Sequence, residues 1–145
     1  MYSDLPYIKT IIPEKRLLEL CDDSNVGEFV ANPANDPYTV LIARISDADA
    51  LIDAHLSDHY TVPVSPTPDI IRYLSGHLTV YMLFDRAHDT DMPEGLVKKR
   101  EYVTKIMTQI KEGKLRIPGK QRRLDSVSSK TEDDRVFTDD LLSLM

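Results

Sequence analysis

ISDADALIDAHLSDHYTVP, Ile45–Pro63, is the stretch whose reading decides the fold. Traced back to Leu41, its apolar residues recur as Leu41, Ile45, Ala48, Ile52, Leu56 and Tyr60. Steps of three and four put all six on one face of an α-helix, as a single buried stripe. The spacing predicts a helix from near Pro37 to about Tyr60. Asp47, Asp49, Asp53, Ser57 and Asp58 fall mostly off the stripe. The helix must stop by Thr61–Pro66, because Val62 and Ser65 each precede a proline and are pushed out of the helical region.

Working outward, the same logic places four more helices. Ser3 and Asp4 can cap a short helix through Thr10. Pro13 suits the first turn of a second, where its missing N–H costs nothing, and Leu17, Leu18 and Cys21 supply its apolar side. Asp22–Pro37 is polar, with Asn25, Gly27, Asn32, Pro33, Asn35 and Pro37, and reads as a loop. Beyond the Val-Pro-Val turn, Thr67 can cap and Pro68 can open a helix to about Asp85. That helix is apolar on more than one side, so it is expected at the centre. Gly76 lies inside it at a cost of roughly 1 kcal/mol against Ala, which suggests a close helix approach. Pro93 opens the last helix, with Leu96, Tyr102, Val103, Ile106, Met107 and Ile110 expected inward. Gly113 ends it with a left-handed cap.

The expected architecture is therefore all-α: a small bundle of about four to five helices over residues 1–119. After Gly119 the composition changes to KQRRLDSVSSKTEDDR, which reads as a flexible C-terminal arm over residues 120–145. Its last stretch regains Phe137, Leu141 and Leu142, which are candidate anchors for docking on a partner. Packing of a final helix on the protein's own core is the other reading.

Composition bounds the function. A formal net charge of -6 argues against a dedicated duplex-DNA binder. The single Cys21 excludes an intramolecular disulfide and reads as a small buried side chain. No apolar run spans a bilayer, and MYSDLPYIKT lacks the order of a signal peptide, so a cytoplasmic protein is expected. Charge is uneven. Asp22 to Asp58 holds eight acids against Arg44 alone, and Lys98 to Arg123 holds ten bases against Glu101 and Glu112. Such opposed faces favour head-to-tail contact between identical copies. The candidate acidic face is Asp47, Asp49, Asp53 and Asp58; the candidate basic face is Lys98, Lys99 and Arg100.

Catalytic candidates are few. His55 and His59 stand four apart, the helical spacing of a metal-binding pair, but a zinc site needs a third ligand and an activated water beside it. Surface charge or helix–helix hydrogen bonding suits them better. Asp49 and Asp53, on adjacent turns of one helix, make a poor hydrolase pair. There is no Gly-rich phosphate loop and no nucleophile elbow. The KKR at Lys98 to Arg100 and the GKQRR at Gly119 to Arg123 could at most contact phosphates non-specifically. No catalytic residue, metal or cofactor is expected.

The order of features resembles the Mu-like phage family called Gp36. The matching pieces are MYSDL, IPEKRLLELCDD, ISDADALIDAHLSDHYTVPV, PDIIRYLSGHLTVYML and IKEGKLRIPG. The combination Asp53, Leu56, Tyr60, Pro63 and the close Gly113, Lys114, Leu115 are the most specific. His59 departs from the pattern, standing where a basic residue commonly precedes the tyrosine. The resemblance implies a phage head–tail connector or head-completion protein in the virion. Such a protein would form a ring on the portal protein, extend the DNA channel without sequence-specific contact, and dock a tail-side completion protein. A small terminase-like DNA-packaging protein and, behind it, a small metal-dependent hydrolase are the alternatives.

Overall fold

The computed structural model describes residues 1–30, 36–87 and 91–122. Among them the chain forms five α-helices: α1 Leu5–Ile11, α2 Glu14–Cys21, α3 Asp36–Leu56, α4 Asp69–Arg86 and α5 Glu94–Lys111. The only extended pairing among these residues is an isolated antiparallel bridge between Tyr60 and Gln121. The all-α bundle is as expected.

Helix starts follow local chemistry. The Asp4 carboxylate accepts the Tyr7 N–H at 3.0 Å and caps α1. Pro13, Pro68 and Pro93 each stand immediately before a helix, as the capping residue rather than the first helical one. Thr67 therefore does not cap α4: Pro68 holds that position and no side chain bonds there.

The α3 stripe is buried along its whole length, from Leu41 to Leu56 and on to Tyr60. The helix itself ends at Leu56, earlier than the periodicity implied, because Ser57–His59 turn and the N–H groups of His59 and Tyr60 both reach back to the Leu56 carbonyl. Helix α4 is the central one, and every residue from Ser75 to Val80 is buried. The core has two parts. Leu41 and Ile45 of α3 pack with Val80, Leu83 and Phe84 of α4, together with α1 and α2. Ile52 and Leu56 pack with Ile71 and Leu74 and with Val103, Ile106, Met107 and Ile110 of α5. Helices α3 and α4 are thus antiparallel. Gly76 is where α1 crosses α4: a Cβ there would lie 2.6 Å from Tyr7 Cε1 and 2.8 Å from Ile11 Cδ1.

Tyr102 departs from expectation. It is 55% exposed, because the buried stripe runs 103, 106, 107, 110 and its neighbour one residue earlier is turned about 100° away. Its ring still meets Tyr73 edge-on at 6.5 Å.

After α5, Gly113 adopts φ 75° and turns the chain as expected. Residues 115–122 then run back over the end of α3. The Ile117 N–H donates to the Tyr60 hydroxyl at 3.0 Å, the Thr61 N–H to the Lys120 carbonyl at 2.9 Å, and the Arg122 N–H to the His59 carbonyl at 2.8 Å. Residues 120–122, assigned to the arm on composition, are therefore paired with the bundle. Phe137, Leu141 and Leu142 lie outside the described residues. No helix among the described residues is long and apolar enough to cross a membrane.

Candidate functional site

The acidic run that composition groups together is divided by the fold. Asp22 accepts the N–H groups of Val26 and Gly27 at 2.8 and 2.7 Å, which holds its carboxyl below the ordinary range and shapes the loop after α2. Asp23 pairs with Arg86, whose guanidinium also donates to the Leu20 carbonyl and so ties α4 to the end of α2.

Asp49 and Asp53 belong to a half-buried network around Tyr2. Asp49 accepts the Tyr2 N–H at 2.9 Å and the Ser75 hydroxyl at 2.6 Å. Because the Ser75 proton is given to Asp49, the Ser3 hydroxyl, 2.8 Å away, must be the donor to Ser75. The Tyr2 hydroxyl donates to Asp53 and accepts the Val64 N–H at 2.9 Å. Burial first, and then Asp53, push the Tyr2 hydroxyl well above the ordinary phenol range. Sequence reading missed this use of the two acids. Their partner lies 47 to 51 positions away, and nothing in the local pattern around either acid marks it.

Asp47 and Asp58 are what remains on the outer face of α3 and its turn. Both are exposed, and Asp47 pairs with Arg44 at 3.1 Å. Between them Leu51 is 39% exposed. Asp47 and Leu51 share one side of α3, and Asp58 lies on the turn beyond its end, so this surface has an apolar centre between two acids. On α5, Lys98, Lys99 and Arg100 are all exposed. Lys98 pairs with Glu94 at 3.1 Å across one turn, and Arg100 lies 4.3 Å from the centroid of the Tyr81 ring. Val97 stands beside them, 39% exposed. The exposed start of α5 is thus a basic surface with an apolar member.

The histidine pair is spoken for by main-chain carbonyls. His55 Nδ1 donates to the Leu51 carbonyl at 2.8 Å, and His59 Nε2 donates to the Lys111 carbonyl at 2.7 Å. A carbonyl only accepts, so these nitrogens carry the protons. The His59 bond joins the end of α3 to the end of α5. Among the described residues no group of three or more His, Cys, Asp or Glu is arranged to hold a metal ion.

The model of the family described as Bacteriophage Mu, Gp36 matches residues 2–134. The chain belongs to that family. A match over most of the chain makes it a phage head–tail connector or head-completion protein, a structural rather than a catalytic role. No curated protein matches the chain. The match takes in the α3 stripe, the Asp53–Pro63 helix-turn and the Gly113 close, the pieces on which the resemblance rested.

Proposed function

We propose that this Gp36-family protein assembles at the head–tail junction of the virion as a ring on the portal protein. In this reading the surface bearing Asp47 and Leu51 of α3 and Asp58 of the turn after it meets the exposed start of α5 bearing Val97, Lys98 and Lys99 of the next copy. The carrying observation is that these two faces are both exposed, opposite in charge and each furnished with a half-exposed apolar residue. A contact between two different patches is heterologous, and it closes into a ring when the rotation per copy allows. Asp49 and Asp53 drop out of the contact, being engaged with Tyr2 and Ser75. The ring would surround the DNA path without reading sequence and offer its far side to a tail-side completion protein.

The test is a charge swap. Lys98→Glu with Lys99→Glu should abolish rings on purified portal, seen by electron microscopy. Asp47→Lys with Asp58→Lys should do the same. A mixture of the two variants should restore alternating rings. Unaltered assembly by either variant refutes the interface. Folded variants and portal that never associate in any combination, wild type included, refute the portal as partner and favour a terminase-like packaging role, for which salt-dependent DNA binding is the next measurement.

A further inference from the structure

A few positions before the described chain ends, residues 115–118 help build an apolar groove that the proposed ring contact does not use. Its volume is about 460 Å³, within the range of built ligand pockets. Ile70, Ile106 and Ile117 form its floor, and Tyr102 and Leu115, 55% and 36% exposed, form its lip. Lys105 and Arg116 stand at its edge. An open apolar trough with two cations at the rim fits an apolar segment that also carries acids.

We propose that this groove is the docking site of the chain's own segment Val136–Met145, bound in the same molecule. Three observations support it. First, chemistry: Phe137, Leu141 and Leu144 stand at i, i+4 and i+7, the spacing of groove-binding anchors, and Asp140, adjacent to that line in the same repeat, is opposite in charge to Lys105 and Arg116. Second, reach: the chain leaves the described structure at Arg122, bonded to His59. The groove is partly built from residues 115–118, only a few positions earlier. The thirteen residues 123–135 extend up to roughly 43–47 Å, well beyond the roughly 27 Å length of α5. Third, tethering: a covalent connection of only thirteen residues holds the segment at an effective concentration near the millimolar range, so modest intrinsic affinity fills the groove from within before a second copy competes. The family match ends at residue 134, so the docking segment is a feature of this chain outside the matched region.

The proposal goes beyond the ring and does not depend on it. The test uses the full chain with Ser143→Cys carrying a nitroxide. Cys21 is buried and burial pushes its thiol up to about 12, so the label goes to residue 143. In a chain carrying both label and nitrogen-15, the amides of Tyr102, Ile106, Leu115 and Ile117 should broaden. Those of Arg44 and Leu51, on the outer face of α3, should not. In a mixture of labelled chain and separate nitrogen-15 chain, the groove amides should stay sharp. Leu141→Asp with Leu144→Asp should remove the effect in the doubly labelled chain. Groove amides that never broaden overturn the proposal. Broadening that appears in the mixture makes a second copy the occupant and overturns it too. Broadening that survives the double substitution shows mere proximity and has the same consequence.

Discussion

Tyr2→Phe is the sharpest probe of how this bundle is held. The substitution keeps the buried ring and deletes one oxygen, so no cavity is created. That oxygen has two duties: it donates to the Asp53 carboxylate and accepts the Val64 N–H, in a residue only 3% exposed. Losing the acceptor leaves the Val64 N–H buried without a partner, at about 1–3 kcal/mol. Losing a bond to a carboxylate adds about 1.5–3 kcal/mol, reduced here because Asp53 is only half buried and water replaces part of it. The expected destabilisation is roughly 2–4 kcal/mol, which lowers Tm by roughly 6–12 °C for a chain of this size. Urea unfolding followed by far-UV circular dichroism should show the midpoint fall with an unchanged slope. Asp53→Ala should then cost less in the Phe background than in wild type. The sign of the pH dependence is also set. The folded-state Tyr2 hydroxyl is held above its ordinary value of 10.0. Its contribution is fully present below that pH and is lost as pH rises through the folded value, so the gap between wild type and variant narrows in alkali. A loss under about 0.5 kcal/mol, the scale of an ordinary surface change, would refute the reasoning, as would additive costs in the double variant.

Two further outcomes follow from the packing. Gly76→Ala should gain nothing despite a helix-propensity benefit of about 1 kcal/mol, since overpacking against Tyr7 and Ile11 costs about 1–3 kcal/mol. Gly95→Ala, where a Cβ meets nothing within 4 Å, should be the more stable of the two in the same urea series. His77 is buried beside Tyr73 with Nδ1 unpartnered, and burial and then Lys99 push its pKa below the ordinary 6.5. Its contribution is therefore present above that pH and lost as pH falls, so stability should drop from pH 6.5 toward 5.5 and His77→Leu should flatten that drop. An equal slope in the variant would remove His77 as its source.

What was legible in the sequence is what depends on near neighbours. The α3 stripe could be read because burial along a helix imposes a period, and Leu41 through Tyr60 keep it even where the helix itself gives way to a turn. Pro13, Pro68 and Pro93 marked helix starts because a missing N–H is harmless only there, though each stands one place earlier than expected. Gly113 marked the end of α5 because the turn needs a positive φ. Tyr102 was misplaced because its ring is apolar enough to pass for core, while its register, one residue off Val103, sends it outward. The duties of Asp49 and Asp53 could not be read. An acid off the buried stripe looks the same whether it faces water, another subunit or a tyrosine from the other end of the chain, and only the fold brings Tyr2 to α3. The pairing of residues 120–122 with the end of α3 was hidden for the same reason, since main-chain bonds between distant segments leave no mark on composition.

The place where these non-local bonds gather bears on assembly. Tyr60 accepts the Ile117 N–H, His59 grips the Lys111 carbonyl, and Tyr2 joins α3 to the Val64 turn. All three fix the end of α3 against α5 or the segments that follow them. In the proposed ring, Asp47 of α3 and Asp58 of the turn that ends it meet Lys98 and Lys99 on the α5 of a neighbour, so the angle between these two helices within one copy sets the rotation from copy to copy. A heterologous contact closes only when that rotation repeats faithfully; a loose angle gives open chains or mixed sizes. Apolar packing alone tolerates small rotations of one helix on another, whereas directed hydrogen bonds weaken steeply when turned. On this argument the polar network at the end of α3 holds the ring geometry. Weakening it by Tyr2→Phe should spread the range of ring sizes in electron micrographs before it prevents folding.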